Sequence, residues 1–219
     1  MTERLRMEEN MGKLRVERMV LGMVQTNTWL VVNDETKELI FIDPADNAEK
    51  IAKKVSESGW KPAAILLTHG HFDHIGAVEE LKERYRIVCY AGEHEEEVLE
   101  NTSYNLSSSF GKGFAIHADH LLKDGAVFEM AGFEIHVIHT PGHTKGGVCY
   151  YLPGEHAVFS GDTLFKTSVG RTDFPTGSMS ELVRSVRALL EQLPDDTVVY
   201  TGHEDTTQVS YEKRFNPFI

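Results

Sequence analysis

The sequence predicts a mixed α/β fold, on the strength of three features. It opens with a meander of three short strands and continues in a β-α-β-α-β rhythm. It then returns to strands before one long amphipathic helix. A chain of 219 residues with 41% hydrophobic and 26% charged residues can bury a sizeable core. No internal repeat or low-complexity linker divides it, so the expected organisation is a single domain over 1–219.

The elements follow from local chemistry. Residues 1–12 mix charges with Met, end at Gly12 and read as an N-terminal extension. Strands are expected over 14–20, 28–32 and 39–42, separated by turn-forming residues at 22–27 and 33–37. Asp43-Pro44-Ala45-Asp46 closes the third strand and opens a helix carrying Ala48, Ile51, Ala52 and Val55 at helical spacing, with Gly59 ending it. A strand over 62–67 runs into a His-rich turn. A helix with Ile75, Val78 and Leu81 on one face comes next, then a strand over 86–90. A short acidic helix is expected within 93–100. The segment 101–119 is polar, Ser-rich and punctuated by glycine, and reads either as a covering loop or as a lid with Tyr104 or Phe110 lining a site. Strands return over 126–130, 133–139, 148–152 and 156–160. The helix over 178–193 has Ser178 and Glu181 in capping-box spacing and an apolar stripe of Leu182, Val183, Val186, Leu189 and Leu190. A last short strand is expected at 198–200.

Composition narrows the function. A net charge of −12 disfavours nucleic acid and anionic membrane surfaces, which need clustered Lys and Arg. Cys89 and Cys149 each lie in an apolar stretch outside any C-x-x-C spacing and read as buried hydrophobes, which fits a reducing compartment. The charged N-terminus has no signal-peptide pattern and no window reaches the length of a membrane span, so the expectation is a soluble, cytoplasmic protein. Trp29 and Trp60 read as core or sheet-edge aromatics.

The chemistry-bearing stretch is His69-x-His71-x-Asp73-His74. Residues two apart in an extended turn point the same way, so His69 and His71 can converge on one point, while Asp73 and His74 face a second one beyond the turn. Zinc-type ions need ligands at about 2.0–2.2 Å, and four ligand-type residues between a buried strand and a helix start meet that need. Three other strand ends share the grammar: Thr140-Pro141-Gly142-His143-Thr144, Gly161-Asp162-Thr163, and Thr201-Gly202-His203-Glu204-Asp205. His94, His117, His120, His136, His139 and His156 match no ligand position and read as structural or exposed, with His139 alternating with the apolar residues of its strand.

In the order T-H-x-H-x-D-H, P-G-H-T, G-D-T-L-F and G-H, the chain resembles the metallo-β-lactamase superfamily, from Gln25-Thr26-Asn27 to Asn216-Pro217-Phe218. Within it, Ser160 to Phe165, Gly170-Arg171-Thr172-Asp173-Phe174-Pro175, Ala118-Asp119 and Leu122-x-Asp124-Gly125 are similar to compact glyoxalase II-type hydrolases. The resemblance implies a four-layer αββα sandwich with its site at one edge. It implies two divalent metal ions, zinc foremost with iron or manganese as substitutes: His69, His71 and His143 on the first, Asp73, His74 and His203 on the second, and Asp162 bridging. The implied activity is hydrolysis of a small-molecule thioester or ester, such as S-lactoylglutathione or a related acyl-thiol, by a hydroxide shared between the metals. Asp73 and Asp162 are the catalytic candidates. Arg171 is the candidate for substrate binding, or alternatively a loop-ordering partner of Asp173. Persulfide dioxygenation on a single iron, lactone hydrolysis and a non-enzymatic metal-binding module are the competing expectations.

Overall fold

The computed structural model describes residues 13–219; the expected extension over 1–12 lies outside them. The meander forms as β1 (Leu14–Leu21), β2 (Thr26–Asn33) and β3 (Glu38–Ile42), paired antiparallel from Leu21↔Thr26 outward. Helix α1 (Ala48–Ser58) crosses over to β4 (Lys61–Leu66), which lies parallel to β3. Helices α2 (Phe72–Ile75) and α3 (Val78–Tyr85) lead to β5 (Val88–Gly92), and α4 (Glu96–Glu100) precedes β6 (His120–Leu122). Both β5 and β6 add in parallel, giving a first sheet ordered β1-β2-β3-β4-β5-β6.

The second sheet starts as a meander of β7 (Val127–Met130), β8 (Phe133–His139), β9 (Val148–Leu152) and β10 (Ala157–Gly161). A small hairpin, β11 (Leu164–Phe165) with β12 (Ser168–Val169), then leads to α5 (Met179–Gln192). Strand β13 (Val198–Thr201) returns parallel to β10. It is followed by β14 (Thr207–Gln208) and α6 (Val209–Phe215), so this sheet reads β14-β13-β10-β9-β8-β7.

The period-two alternation of the strands makes the layering. In β2 and β3, Leu30, Val32, Leu39 and Phe41 pack outward on Ile51, Val55 and Leu81 of α1 and α3. Their neighbours Trp29, Val31, Ile40 and Ile42 point the other way and meet Phe133, Ile135, Tyr150 and Phe159 of the second sheet. On that sheet's outer face Cys149, Val158 and Val199 pack on Leu182, Val186, Leu189 and Leu190 of α5. Three apolar interfaces separate four layers, the αββα sandwich that the resemblance implied. Cys89 and Cys149 are free, buried members of this packing.

Several elements differ from expectation. The single helix expected around 75–81 is two, because the Gly76 and Ala77 amides leave the helix to bond the carbonyls of Ala45 and Pro44, each at 3.0 Å. The capping box before α5 does not form: Ser178 Oγ makes no bond to the helix amides and lies 3.3 Å from Ser180 Oγ. The segment 101–119 is tied inward by Asn105, whose side chain donates to the carbonyls of Leu99 and Phe114 while its own carbonyl accepts the Phe72 amide at 2.7 Å.

The inter-sheet layer sets the distance between the two halves of the site, and Phe159 is fully buried at its centre. Phe159→Ala should cost about 3–5 kcal/mol of stability. The check is the urea midpoint at unchanged m-value.

Candidate metal centre

Parallel pairing brings the functional side chains to one edge. Strands β3 and β4 run the same way, so Asp43, at the end of β3, lies beside the turn that follows β4. Strands β10 and β13 also run together, so the turns holding Asp162 and His203 leave the second sheet side by side, with the Gly202 amide bonded to the Gly161 carbonyl at 2.8 Å. Strand β2 clamps that pair to the first sheet: Trp29 Nε1 and Asn27 Nδ2 both donate to the Thr201 carbonyl, at 2.9 and 3.0 Å. The β8–β9 turn with His143 is drawn in by the Val148 amide, which donates to the Thr68 carbonyl at 2.8 Å.

All seven predicted ligand residues converge. His69, His71 and His143 offer one atom each within 4.8 Å of one another, and Asp73, His74 and His203 do the same. Asp162 lies between the groups: Oδ2 is 3.4 Å from His143 Nε2 and 3.6 Å from His203 Nε2, and Oδ1 is 3.4 Å from His74 Nε2. Glycine is required at 202, since a Cβ there would fall 2.1 Å from Asp162 Oδ1.

The polar network sets which ring nitrogens face inward. A carboxylate can only accept, so His74 Nδ1–H donates to Asp43 Oδ2 at 2.9 Å. Thr68 Oγ1 donates to the same oxygen and faces His69 Nδ1 at 3.2 Å. His143 Nδ1–H donates to the Arg171 carbonyl at 2.7 Å. Nε2 of His69, His71 and His74 and Oδ1 of Asp162 are left buried without a partner. Buried polar atoms without partners are costly; Nε2 of His69 and His74 and Oδ1 of Asp162, together with His71 Nδ1, which lies 2.9 Å from His143 Nε2, fit a cation that takes lone pairs. Nitrogen and carboxylate donors without thiolate suit zinc, iron or manganese.

The electrostatics agree. Burial pulls the His69 and His71 imidazoles well below their ordinary basicity, and nearby imidazoles add to it. Burial acts the same way on His74, but Asp73, Asp162 and Asp43 outweigh it and push that ring up to about 10. Asp73 is held well below the usual carboxylate range: burial opposes ionisation, while His74 and hydrogen bonds with His203 and Thr26 prevail. The carboxylates that hold a proton on His74 would hold a divalent cation in its place.

Arg171 lies at the rim. Its Nε and Nη2 donate to the two oxygens of Asp173 at 2.7 Å each, and its guanidinium sits 4.1 Å from the centre of the Phe174 ring. A cavity of 260 Å³ over the ligands is lined by Val24, Leu106, Phe110, Phe174 and Arg171. Phe110 therefore borders the site, stacked 4.5 Å from Phe72, whereas Leu106 takes the place expected of Tyr104. His139 bonds the Lys145 carbonyl beside the His143 turn and is not a member of either ligand group. Asp43, Thr68 and Thr26 went unassigned in the sequence. Asp43 alone carried a signal, as a polar residue closing a buried strand like the ligands themselves.

The chain belongs to the metallo-β-lactamase superfamily, whose family model matches residues 21–203. Hydroxyacylglutathione hydrolase GloC from Haemophilus influenzae is 32% identical over 212 residues, spanning 94% of this chain and 98% of that one. Among solved structures, BLEG-1 B3 metallo-β-lactamase superposes with a TM-score of 0.89 at 38% identity, over 93% of this chain and 99% of its own. TTHA1623, solved in a di-iron-bound form, gives 0.82 at 36% identity over 93% of this chain and all of its own. The chain is thus a member of a metallo-hydrolase superfamily with His/Asp clusters suited to divalent metals.

Asp43 clusters with His69 and His74, bonding His74 Nδ1 and, through Thr68, facing His69 Nδ1, and so orients a ring in each ligand group. Asp43→Asn should weaken metal binding by about 10–100-fold while the fold persists. Chelator-competition titration beside far-UV circular dichroism is the check.

Proposed function

We propose that this protein is a metal-dependent hydrolase of thioesters, taking S-lactoylglutathione or a related acyl-thiol as substrate. The observation that carries the reading is the placing of Asp162 between two complete ligand groups, His69–His71–His143 and Asp73–His74–His203. The likeness to GloC supports the substrate class. Two ions are proposed, zinc foremost; the di-iron form of TTHA1623 supports iron as a substitute. When bound, such a pair lowers the pKa of a water from about 15.7 towards 7 and polarises a carbonyl.

The chain's own residues do the rest. Asp162 spans both groups and so holds their separation. Asp73 accepts the Thr26 hydroxyl at 2.7 Å on the oxygen that also faces His203, leaving it positioned to relay a proton at the cavity floor. Val24, Leu106, Phe110 and Phe174 give the acyl group an apolar wall that limits water. Asp173 occupies Nε and Nη2 of Arg171, and Nη1 stays available to a substrate carboxylate, so both roles read from the sequence can coexist. No helix among the described residues is long and apolar enough to cross a membrane, and the two free cysteines accord with a reducing, cytoplasmic setting.

BLEG-1 supports a second reading, hydrolysis of a β-lactam amide by the same groups. The deciding experiment is metal analysis of the purified protein beside a panel of thioesters, lactones and β-lactams, with oxygen uptake on a persulfide as a further arm. Thioester turnover with about two metals per chain is expected; turnover confined to another arm would overturn the proposal. Asp162→Ala should lower hydrolysis by about 100-fold or more and loosen both metals, a larger loss than removal of an outer partner brings. Arg171→Ala should raise KM several-fold for a carboxylate-bearing thioester and leave an uncharged one unchanged, as a steady-state comparison would read.

A further inference from the structure

Glu95 has no place in the ligand groups or in the proton path, yet it is wholly buried. It sits at the start of α4, and each of its oxygens is committed. Oε1 accepts the Gly70 amide at 2.7 Å, and Oε2 accepts the Thr144 hydroxyl at 2.9 Å and the Gly146 amide at 3.0 Å. Gly70 is the residue between His69 and His71, and Thr144 follows His143. One carboxylate thus braces the two turns that carry His69, His71 and His143, from positions adjacent to each ligand. It makes no bond to α2, which carries Asp73 and His74, or to the turn of His203.

The approach is close by construction. A Cβ on Gly146 would fall 2.1 Å from the Glu95 amide nitrogen, so the His143 turn lies directly on the backbone of residues 94–95. Burial pushes the Glu95 carboxyl up to about 8, while all three neighbours lower it by donating to it. A carboxylate that accepts from two amides and a hydroxyl has a shape an amide cannot copy. Either orientation of a glutamine would set an NH₂ group against a backbone N–H.

We infer that Glu95 is a positioning residue for the first metal alone: it fixes the spacing of His69 and His71 against His143, and so sets the affinity of that site independently of the other. The inference rests on the reading that these three imidazoles hold a metal, and its test reads binding rather than turnover.

The experiment is metal titration with chelator competition on the full chain, with cobalt(II) as the spectroscopic probe, for wild type, Glu95→Gln and Thr144→Val. The last removes one of the three bonds at almost constant shape and guards against a Glu95→Gln chain that fails to fold. Glu212→Gln is the control. It alters another fully buried carboxylate, which accepts from Thr167, Thr207 and Asn216 and makes no hydrogen bond to a ligand residue or its neighbours. Glu95→Gln should weaken one of two sites by about 10–100-fold, the usual scale for an outer partner of a ligand. Retained metal should fall towards one per chain, with a changed cobalt spectrum. Thr144→Val should move the same site in the same direction by a smaller factor, and Glu212→Gln should lower thermal stability with both sites unchanged. Equal weakening of both sites in Glu95→Gln, or unaltered binding in both site variants, would overturn the inference. A wild type that binds two metals but cleaves no thioester would count against the proposed substrate and leave Glu95's role standing. A wild type with no metal on the three histidines would remove both.

Discussion

The buried Asp43 carboxylate is the interaction on which the geometry of the site depends. One of its oxygens takes the His74 Nδ1 proton and the Thr68 hydroxyl, the other takes the Thr68 amide, and Thr68 in turn faces His69. One acceptor therefore sets ring orientation in both ligand groups. It sits in an uncommon backbone conformation, φ +50°, where the chain leaves β3 and turns across the edge of the sheet. Burying a charge typically costs several kcal/mol unless it is fully partnered, and Asp43 is. The orphaned nitrogens of the rings it orients are not, and this imbalance marks the site as a receptor for cations rather than a structural salt-bridge cluster.

Around that point the fold behaves as a clamp. The first sheet contributes the parallel run β3 to β6 and the second the parallel pair β10 and β13, and their ends open on the same edge. The inter-sheet layer of Trp29, Ile42, Phe133, Tyr150 and Phe159 holds the edges at a constant distance. Single hydrogen bonds then bring turns of one sheet onto the other, as with Tyr150 Oη on the Leu67 carbonyl and Trp29 Nε1 on the Thr201 carbonyl. Aromatic residues thus serve the packed layer with their rings and the ligand turns with their polar atoms. The loop carrying Phe110 closes one wall of the cavity, anchored through Asn105 and the Phe72–Phe110 stack.

Much of this was legible in the residues. Apolar runs bounded by turn residues marked β2 and β3 and alternation marked β8, to within a residue or two, and the stripe of Leu182, Val186 and Leu189 marked α5, because burial on two faces or on one imposes those patterns. Strands β6, β11, β12 and β14 and helix α6 were missed. The strands, two or three residues long, are too short for a period to show. Helix α6 buries Val209 together with a charged residue, Glu212, so its inward face does not read as apolar. The split between α2 and α3 was missed because two amides take carbonyls far back in the chain, a competition that spacing does not record.

By itself the sequence determined the strand ends and the ligand-type residues placed on them. A turn that must present an imidazole or a carboxylate beside a buried strand writes both features into a few neighbouring positions. What only the tertiary structure decided is which atoms face inward and what braces them: the shared hold of Asp43 and the bracing of two turns by Glu95. The first joins turns that follow two parallel strands of one sheet, and the second joins residues brought together by the packing of two sheets. An acidic side chain that accepts hydrogen bonds across such a gap looks, along the chain, like any surface carboxylate.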